Sequence, residues 1–214
     1  QEFFLSLLKM SRHEPDPISE ISKIHKEMDL FNIKLLPPHL TKSNMDFSIE
    51  GADIRFGLLS IKGISDKAVE KINDFKSEYS SKFDVFCAAK ESKLNVGVLS
   101  ALIQAGALEG FKQSRSKVVL EAQLWNILLA KEKRYAIELA ERFNHDLVEI
   151  LKYLRTFKNE KGKPIIPESR YETIKKKYIP YLEIYTKNSK SESFANWYYE
   201  KMLLGYTYNK TLKD

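Results

Sequence analysis

The sequence predicts a mainly α-helical protein with a small β element in its N-terminal third and further helices towards its C-terminus. Glycine and proline are few, 8 and 7 among 214 residues, and they stand where helices are expected to end. Apolar residues recur at helical spacing along most of the chain. Only residues 33–36, 47–49 and 54–56 form short apolar runs between turn residues, which is typical of strands.

The composition is that of a globular protein, with 43% hydrophobic and 30% charged residues. No apolar run approaches the roughly 18 residues of a membrane span, so we expect no membrane partner and a cytoplasmic location. The single cysteine, Cys87, excludes an internal disulfide framework and a cysteine-rich zinc site. The 4 histidines are scattered without ligand spacing, which argues against a metal centre.

The elements follow from local signals along the chain. The segment 15–17 (Pro-Asp-Pro) is a start signal for a helix over residues 18–30. A brief strand over 33–36 and a β-hairpin around residues 50–53 come next. Polar, glycine- or proline-bearing loops are expected at 158–167 and 187–193, with a C-terminal stop at Gly205. The remaining predicted helices cover residues 58–61, 66–75, 85–89, 96–104, 115–143, 146–157, 171–185 and 194–204.

Residues 57–75 contain a short apolar helix, a tight turn and a second helix, a pattern that suits phosphate binding. A turn glycine allows close approach of the backbone, and unpaired N–H groups at a helix start point towards an anion. Ile64 is expected to anchor the turn in the core, and Ser65 to cap the helix that begins at Asp66. The predicted DNA-binding residues here are Lys62, Gly63, Ile64, Ser65 and Lys67.

A related pattern recurs at residues 98–120, where an apolar helix runs into a small-residue turn and a further helix starts with basic residues. Basic side chains in a first turn oppose the helix dipole, so an anion facing them would explain their position. Either Ser114 or Ser116 is expected to be the cap. The predicted DNA-binding residues here are Ala105, Gly106, Ala107, Ser114, Arg115 and Lys117.

The run over residues 54–69, IRFGLLSIKGISDKAV, resembles the segment that joins fingers to helix-hairpin-helix in the alpha subunit of the bacterial (or phage-encoded) replicative DNA polymerase III, a C-family polymerase. Further stretches resemble that family in the same order. They are residues 2–8, 33–38 with 46–47, 83–87, 99–108, 114–120 and, more faintly, 200–206. The departures are Ser65 in place of a second turn glycine, residues 207–211 in place of the family's SGHPL, and a segment 131–193 with no counterpart.

The resemblance implies the end of the polymerase fingers at 1–56 and a tandem helix-hairpin-helix DNA-binding region at 57–130. A basic helical addition at 131–193 and a helix leading to a following domain at 194–214 complete the division. The chain starts at Gln1 within a family helix, so we expect a piece of a longer polymerase. The net charge is +6, and residues 131–214 hold the whole surplus because basic and acidic residues balance before them.

In that family, the implied function is to hold duplex DNA through sequence-independent backbone contacts during template-directed synthesis. The implied partners are primer-template duplex, the remainder of the polymerase chain and other replisome subunits. The metal-binding aspartates of the family lie upstream of the matched region. We therefore expect no catalytic residue and no cofactor in this chain, and Mg²⁺ only in the parent polymerase.

Two other functions stay open at the level of sequence. In some DNA glycosylases a catalytic aspartate follows the hairpin by about twenty residues, and Asp84 stands at that spacing from Gly63. A protein-interaction module is the other alternative, because Trp125, Trp197, Tyr198 and Tyr199 could anchor a partner.

Overall fold

The computed structural model describes residues 1–209 as helices packed around a small sheet. The sheet contains β1 (Leu35–Leu36), β2 (Ser48–Glu50) and β3 (Asp53–Arg55), in the order β1-β3-β2. The helices of this part of the chain are α1 (Glu2–Ser11), α2 (Pro17–Leu30), α3 (Val69–Phe75), α4 (Lys82–Glu91), α5 (Val96–Gln104), α6 (Arg115–Ile127), α7 (Ala130–Glu138), α8 (Leu147–Thr156), α9 (Glu168–Asn188) and α10 (Glu192–Leu204). The predicted fold class, mainly α with a small N-terminal β element, is confirmed.

The β element forms as the turn chemistry predicts. β2 and β3 pair antiparallel, with Glu50 opposite Asp53 across the predicted turn, and β1 lies parallel to β3. The side chain of Arg55, on β3, donates to both carboxylate oxygens of Glu50 and to the carbonyl of Pro37. These bonds connect the hairpin to the end of β1 and hold the sheet together at its edge.

The predicted helix at residues 58–61 is wrong in type, because the chain forms only a single 3-10 turn at Leu58–Ser60. An α-helix would direct the Lys62 amide to the Leu58 carbonyl, but this amide donates to the carbonyl of Leu203 instead, so the α-helical ladder does not start. The predicted helix at 66–75 is present, but its first turn, Asp66–Ala68, is also 3-10 and leads into α3.

The predicted continuous helix at 115–143 is also wrong, since α6 ends at Ile127 and α7 begins at Ala130. The break depends on Glu132, whose side chain accepts from the Leu129 amide at 2.7 Å. The same buried carboxylate accepts from Arg170 of α9 at 2.7 and 2.8 Å. A contact from a distant helix therefore sets a boundary where the sequence has neither glycine nor proline.

The segment 131–193 packs on the hairpin region. α9 lies along α6 and buries Tyr171, Ile174 and Tyr178. Its side chains belong to the same hydrophobic cluster as those of α1 to α6. Removing residues 131–193 would therefore expose the face of α6 that α9 covers. The division of the chain at residues 56, 130 and 193 stays a prediction. Residues 210–214, which end the predicted last segment and include part of the departure at 207–211, lie outside the described residues.

Candidate nucleic-acid interface

The first candidate surface is the segment 62–67, called turn 1 here. It follows the 3-10 turn Leu58–Ser60 and includes the start of the next 3-10 turn, Asp66–Ala68. Gly63 has φ +93°, a conformation that favours glycine, and a Cβ there would meet no atom within 4 Å. Ile64 is buried, as predicted. The Lys62 amide donates to the carbonyl of Leu203 at 2.9 Å, which ties the turn to the end of α10. The turn is thus fixed to the rest of the protein by Ile64 and the Lys62 amide, while Gly63 faces solvent.

Turn 1 presents a row of unused backbone donors. Gly63, Ser65, Asp66 and Lys67 are exposed, and their amides have no acceptor among residues 1–209. Ser65 occupies the cap position, but its hydroxyl does not accept a capping bond, so that part of the prediction is wrong. Because the cap is not made, the N–H groups at this helix start remain available to an anion.

The side chains around turn 1 add positive charge. Lys62 and Lys67 are exposed and form no ion pair with any described residue. Asp66 stands between them and pairs with Arg12, which lies just after α1. Exposed backbone amides and lysine side chains are among the groups that contact phosphate oxygens in protein–DNA complexes.

The second candidate surface is the turn at residues 105–107, called turn 2 here, after α5. Its amides are all occupied, since Ala105, Gly106 and Ala107 donate to the carbonyls of Ala101, Ile103 and Leu102 at 2.9 to 3.0 Å. Gly106 has φ +79°, as a helix-ending glycine does, but the three residues are buried. Turn 2 therefore offers no open donor in this structure.

Tyr208 covers turn 2. Its hydroxyl donates to the carbonyl of Ala105 at 2.7 Å and accepts from Arg115 at 3.2 Å. The Arg115 guanidinium also contacts Glu109 at 3.2 Å and the buried Glu200 at 3.5 Å. It also donates to the Gln104 carbonyl at 3.4 Å, so the structure gives this side chain four internal partners, and its predicted contact with DNA stays a prediction.

The other basic residue of the second motif is similarly engaged. Lys117 lies 3.5 Å from Glu121 and 3.4 Å from Asp146. Glu121 is fully buried and pairs with Lys82 at 2.5 Å. Burial raises the pKa of Glu121 and lowers the pKa of Lys82, since desolvation disfavours both charges. Of the two predicted caps of α6, Ser114 is the one that forms, because its hydroxyl accepts a hydrogen bond from the Lys117 amide at 3.2 Å. The Ser116 hydroxyl donates to Glu192 instead.

The residues of the alternative functions lie on different helices: Asp84 on α4, Trp125 on α6, and Trp197, Tyr198 and Tyr199 in succession on α10. Asp84 is exposed in the first turn of α4, where its own amide is capped by Ser81. Trp125 is buried, whereas Tyr198 is about half exposed at 48%. Within residues 1–209, no three His, Cys, Asp or Glu side chains come together as a metal site would need. In the same range, no helix has the length and apolar character to cross a bilayer.

One residue that the sequence did not single out is Arg12. It reaches turn 1 from the loop after α1, although it stands 54 positions before Asp66 in the sequence. No periodicity or motif near Arg12 points to this contact, because it depends on how α1 and α2 pack beside the hairpin.

Comparison with known proteins agrees with the sequence resemblance. Residues 32–118 match the family of the helix-hairpin-helix motif, a range that includes turn 1, turn 2 and the start of α6. The chain is similar to the DNA polymerase III alpha subunit of Aquifex aeolicus, with 31% identity over 55% of the chain and 10% of that protein. The corresponding proteins of Thermus aquaticus and Deinococcus radiodurans are 30% and 33% identical over 69% and 51% of the chain, and 11% and 8% of their own lengths.

The chain thus spans about a tenth of the length of the curated relatives it matches. The resemblance predicted from the residues is confirmed: this protein is related to a segment of the bacterial DNA polymerase III alpha subunit and carries a helix-hairpin-helix motif at residues 32–118.

Proposed function

We propose that this chain holds duplex DNA through contacts to the sugar-phosphate backbone, independent of base sequence, as part of a replicative DNA polymerase. The observation that carries the proposal is turn 1, where four exposed amides and the ammonium groups of Lys62 and Lys67 have no acceptor or ion-pair partner among residues 1–209. Amide N–H groups and lysine ammonium groups recognise phosphate oxygens and read no base edge.

In this proposal the phosphate lies over Gly63, where the absence of a Cβ lets the backbone come within hydrogen-bond distance. Lys62 and Lys67 contribute charge attraction, which is long-range but weak at an exposed site. A grip of this kind slows dissociation of the product duplex during template-directed synthesis without restricting its sequence. The partners are then the primer-template duplex, the remainder of the polymerase chain and further replisome subunits, in the cytoplasm.

The chemical step lies outside this proposal. A nucleotidyltransferase needs two divalent ions held by acidic residues, and the described residues bring no such group together. In this proposal the residues that hold Mg²⁺ belong to other parts of the polymerase, as the family resemblance implies, and the role of this chain is to bind and position duplex.

The test is fluorescence anisotropy with a labelled duplex over a series of salt concentrations. We expect weak binding with equal affinity for unrelated sequences, and a salt slope that corresponds to a few phosphates. Gly63→Val should weaken binding about tenfold because it removes the close approach of the backbone. Lys67→Ala should weaken it only about threefold, since one exposed charge contributes less than about 1 kcal/mol.

Gly162→Val is the matched control for Gly63→Val. Gly162 also has positive φ, +73°, and also has no atom within 4 Å of a Cβ position, but it lies in the loop at 158–167. Its replacement should leave DNA affinity unchanged. Binding that is as strong to heparin as to duplex, with no loss in Gly63→Val, would contradict the proposed function.

A further inference from the structure

A cleft separates turn 1 from the loop between α1 and α2. Its volume is about 490 Å³, and it is lined on one side by Arg12, Pro15 and Asp16 and on the other by residues 59–66. The amides of Gly63 and Ser65 belong to the second wall. Any phosphate bound over turn 1 therefore also lies near the α1–α2 loop.

Arg12 is the cation that this loop supplies. Its Nη2 atom pairs with the Asp66 carboxylate, and its side chain is 25% exposed. A guanidinium carries five N–H donors, and this is the single hydrogen bond that Arg12 makes through its side chain within residues 1–209. Arg12 is therefore held beside turn 1 with most of its donor capacity unused.

Asp66 opposes the anion that turn 1 would bind. Its carboxylate stands in the first turn of the hairpin helix and is 78% exposed. An acidic group there suits the helix dipole, but it repels a phosphate approaching the same N–H groups. Pairing with Arg12 offsets that repulsion and at the same time occupies the guanidinium.

We infer that Arg12 is a further DNA-backbone contact of the hairpin, and that Asp66 and the phosphate compete for it. In the free chain Asp66 holds Arg12 across the cleft. When a phosphate binds over turn 1, the unused donors of Arg12 face it, and the guanidinium shifts from the carboxylate towards the phosphate. Asp66 thereby limits the affinity of turn 1 for DNA.

This inference rests on the proposed function. Its test compares substitutions of Asp66 and Arg12, which are expected to change duplex affinity in opposite directions. Asp66→Asn keeps the shape of the side chain and removes its charge, so duplex affinity should increase about threefold. Arg12→Ala should decrease affinity about threefold and lower the salt slope by about one phosphate. The double variant should lie between the two single variants.

The matched controls are Arg155→Ala and Glu168→Gln. This pair, at 2.8 Å, joins α8 to α9 with the same charges and similar exposure, 35% and 63%, but it is not part of the cleft. Neither control should change the affinity for duplex or the salt slope. Thermal unfolding of all five variants, including the double variant, verifies that they remain folded.

Two results would overturn the inference. Equal losses in Arg12→Ala and Arg155→Ala would mean that only total charge matters. Weaker binding by Asp66→Asn would mean that the carboxylate orients Arg12 instead of competing for it. Both results differ from failure of the proposed function, in which Gly63→Val binds duplex as the wild type does.

Discussion

The two hairpin turns have similar sequence patterns but opposite surroundings. Each has a glycine with positive φ, Gly63 at +93° and Gly106 at +79°, followed by basic residues in the next helix. In turn 1 the exposed residues Gly63, Ser65, Asp66 and Lys67 have amides without an acceptor among residues 1–209, whereas turn 2 is buried and uses all three of its amides in ending α5. The same local pattern can therefore form a binding surface or a closed helix end.

The amides of turn 2 are paired locally at the end of α5, and the C-terminal residues 206–209 cover the turn in addition. Tyr206 donates to the Leu35 carbonyl at 2.9 Å, which brings the chain back across the sheet. Tyr208 then covers turn 2, and the Asn209 amide donates to Glu200 at 2.7 Å. No segment among the described residues covers turn 1 in this way. The comparison shows that a glycine turn with flanking cations predicts a phosphate site only when nothing else in the fold satisfies those groups.

The largest effect that would test this contrast is expected from Arg115→Ala. Removing the guanidinium leaves Glu200 buried without its cation, which costs about 3 kcal/mol of unfolding free energy. Because Arg115 is engaged internally, the duplex affinity of the folded variant should not change. Urea denaturation and anisotropy measure the two quantities. A loss of affinity without a loss of stability would support the DNA contact of Arg115 that the sequence predicts.

The next largest effect is expected from Gly106→Ala. A Cβ at this position would come within 2.6 Å of an Arg115 nitrogen and would also contact the Tyr208 hydroxyl, in addition to the strain of positive φ. We expect a loss of about 2 kcal/mol, against about 1 kcal/mol for Gly63→Ala, where a Cβ meets open space. Urea denaturation of the two variants measures both losses of unfolding free energy. Equal losses would show that Tyr208 and Arg115 move aside freely.

A smaller effect is expected from Tyr208→Phe, which keeps the ring over turn 2 and removes its hydroxyl. The loss of the 2.7 Å bond to Ala105 and of the contact with Arg115 should cost about 1 kcal/mol. Tyr198→Phe is the control, because Tyr198 is half exposed and makes no hydrogen bond through its hydroxyl to a described residue. Thermal unfolding compares the two; a control that loses as much stability would argue against a closing role of Tyr208.

The smallest effect is a dependence of stability on pH that arises beneath turn 2. Burial raises the pKa of Glu200 above its ordinary value of 4.5, although Arg115 and Asn209 act in the opposite direction. A carboxyl group with a raised folded pKa stabilises the fold when protonated, and this contribution is lost as pH rises through the folded value. The wild type should therefore gain stability relative to Glu200→Gln as pH falls from 7 towards 4.5. Urea denaturation at several pH values measures the difference, and an opposite trend would contradict this assignment.

Much of the fold can be predicted from local sequence, because caps and periodicity act within a few residues. The Asp16 cap and Pro17 start α2, and Gly205 ends α10 with φ +86°, both where the pattern places them. α5 has the predicted bounds, Val96–Gln104. The buried Ile64 and the positive φ of Gly63 are also consequences of a pattern that can be read in the sequence.

Only the tertiary structure determines which glycine turn is covered by distant residues and which stays exposed to solvent. Tyr208 lies 103 residues from Ala105, Arg170 lies 38 residues from Glu132, and Arg12 lies 54 residues from Asp66. Each of these contacts satisfies or competes for a polar group whose local environment leaves it unpaired. The sequence by itself determined where most helices and the two glycine turns form, since these depend mainly on neighbouring residues, whereas the break between α6 and α7 depends on the distant Arg170. The availability of each pattern depends on distant side chains that pack against it, and only the folded chain brings them together.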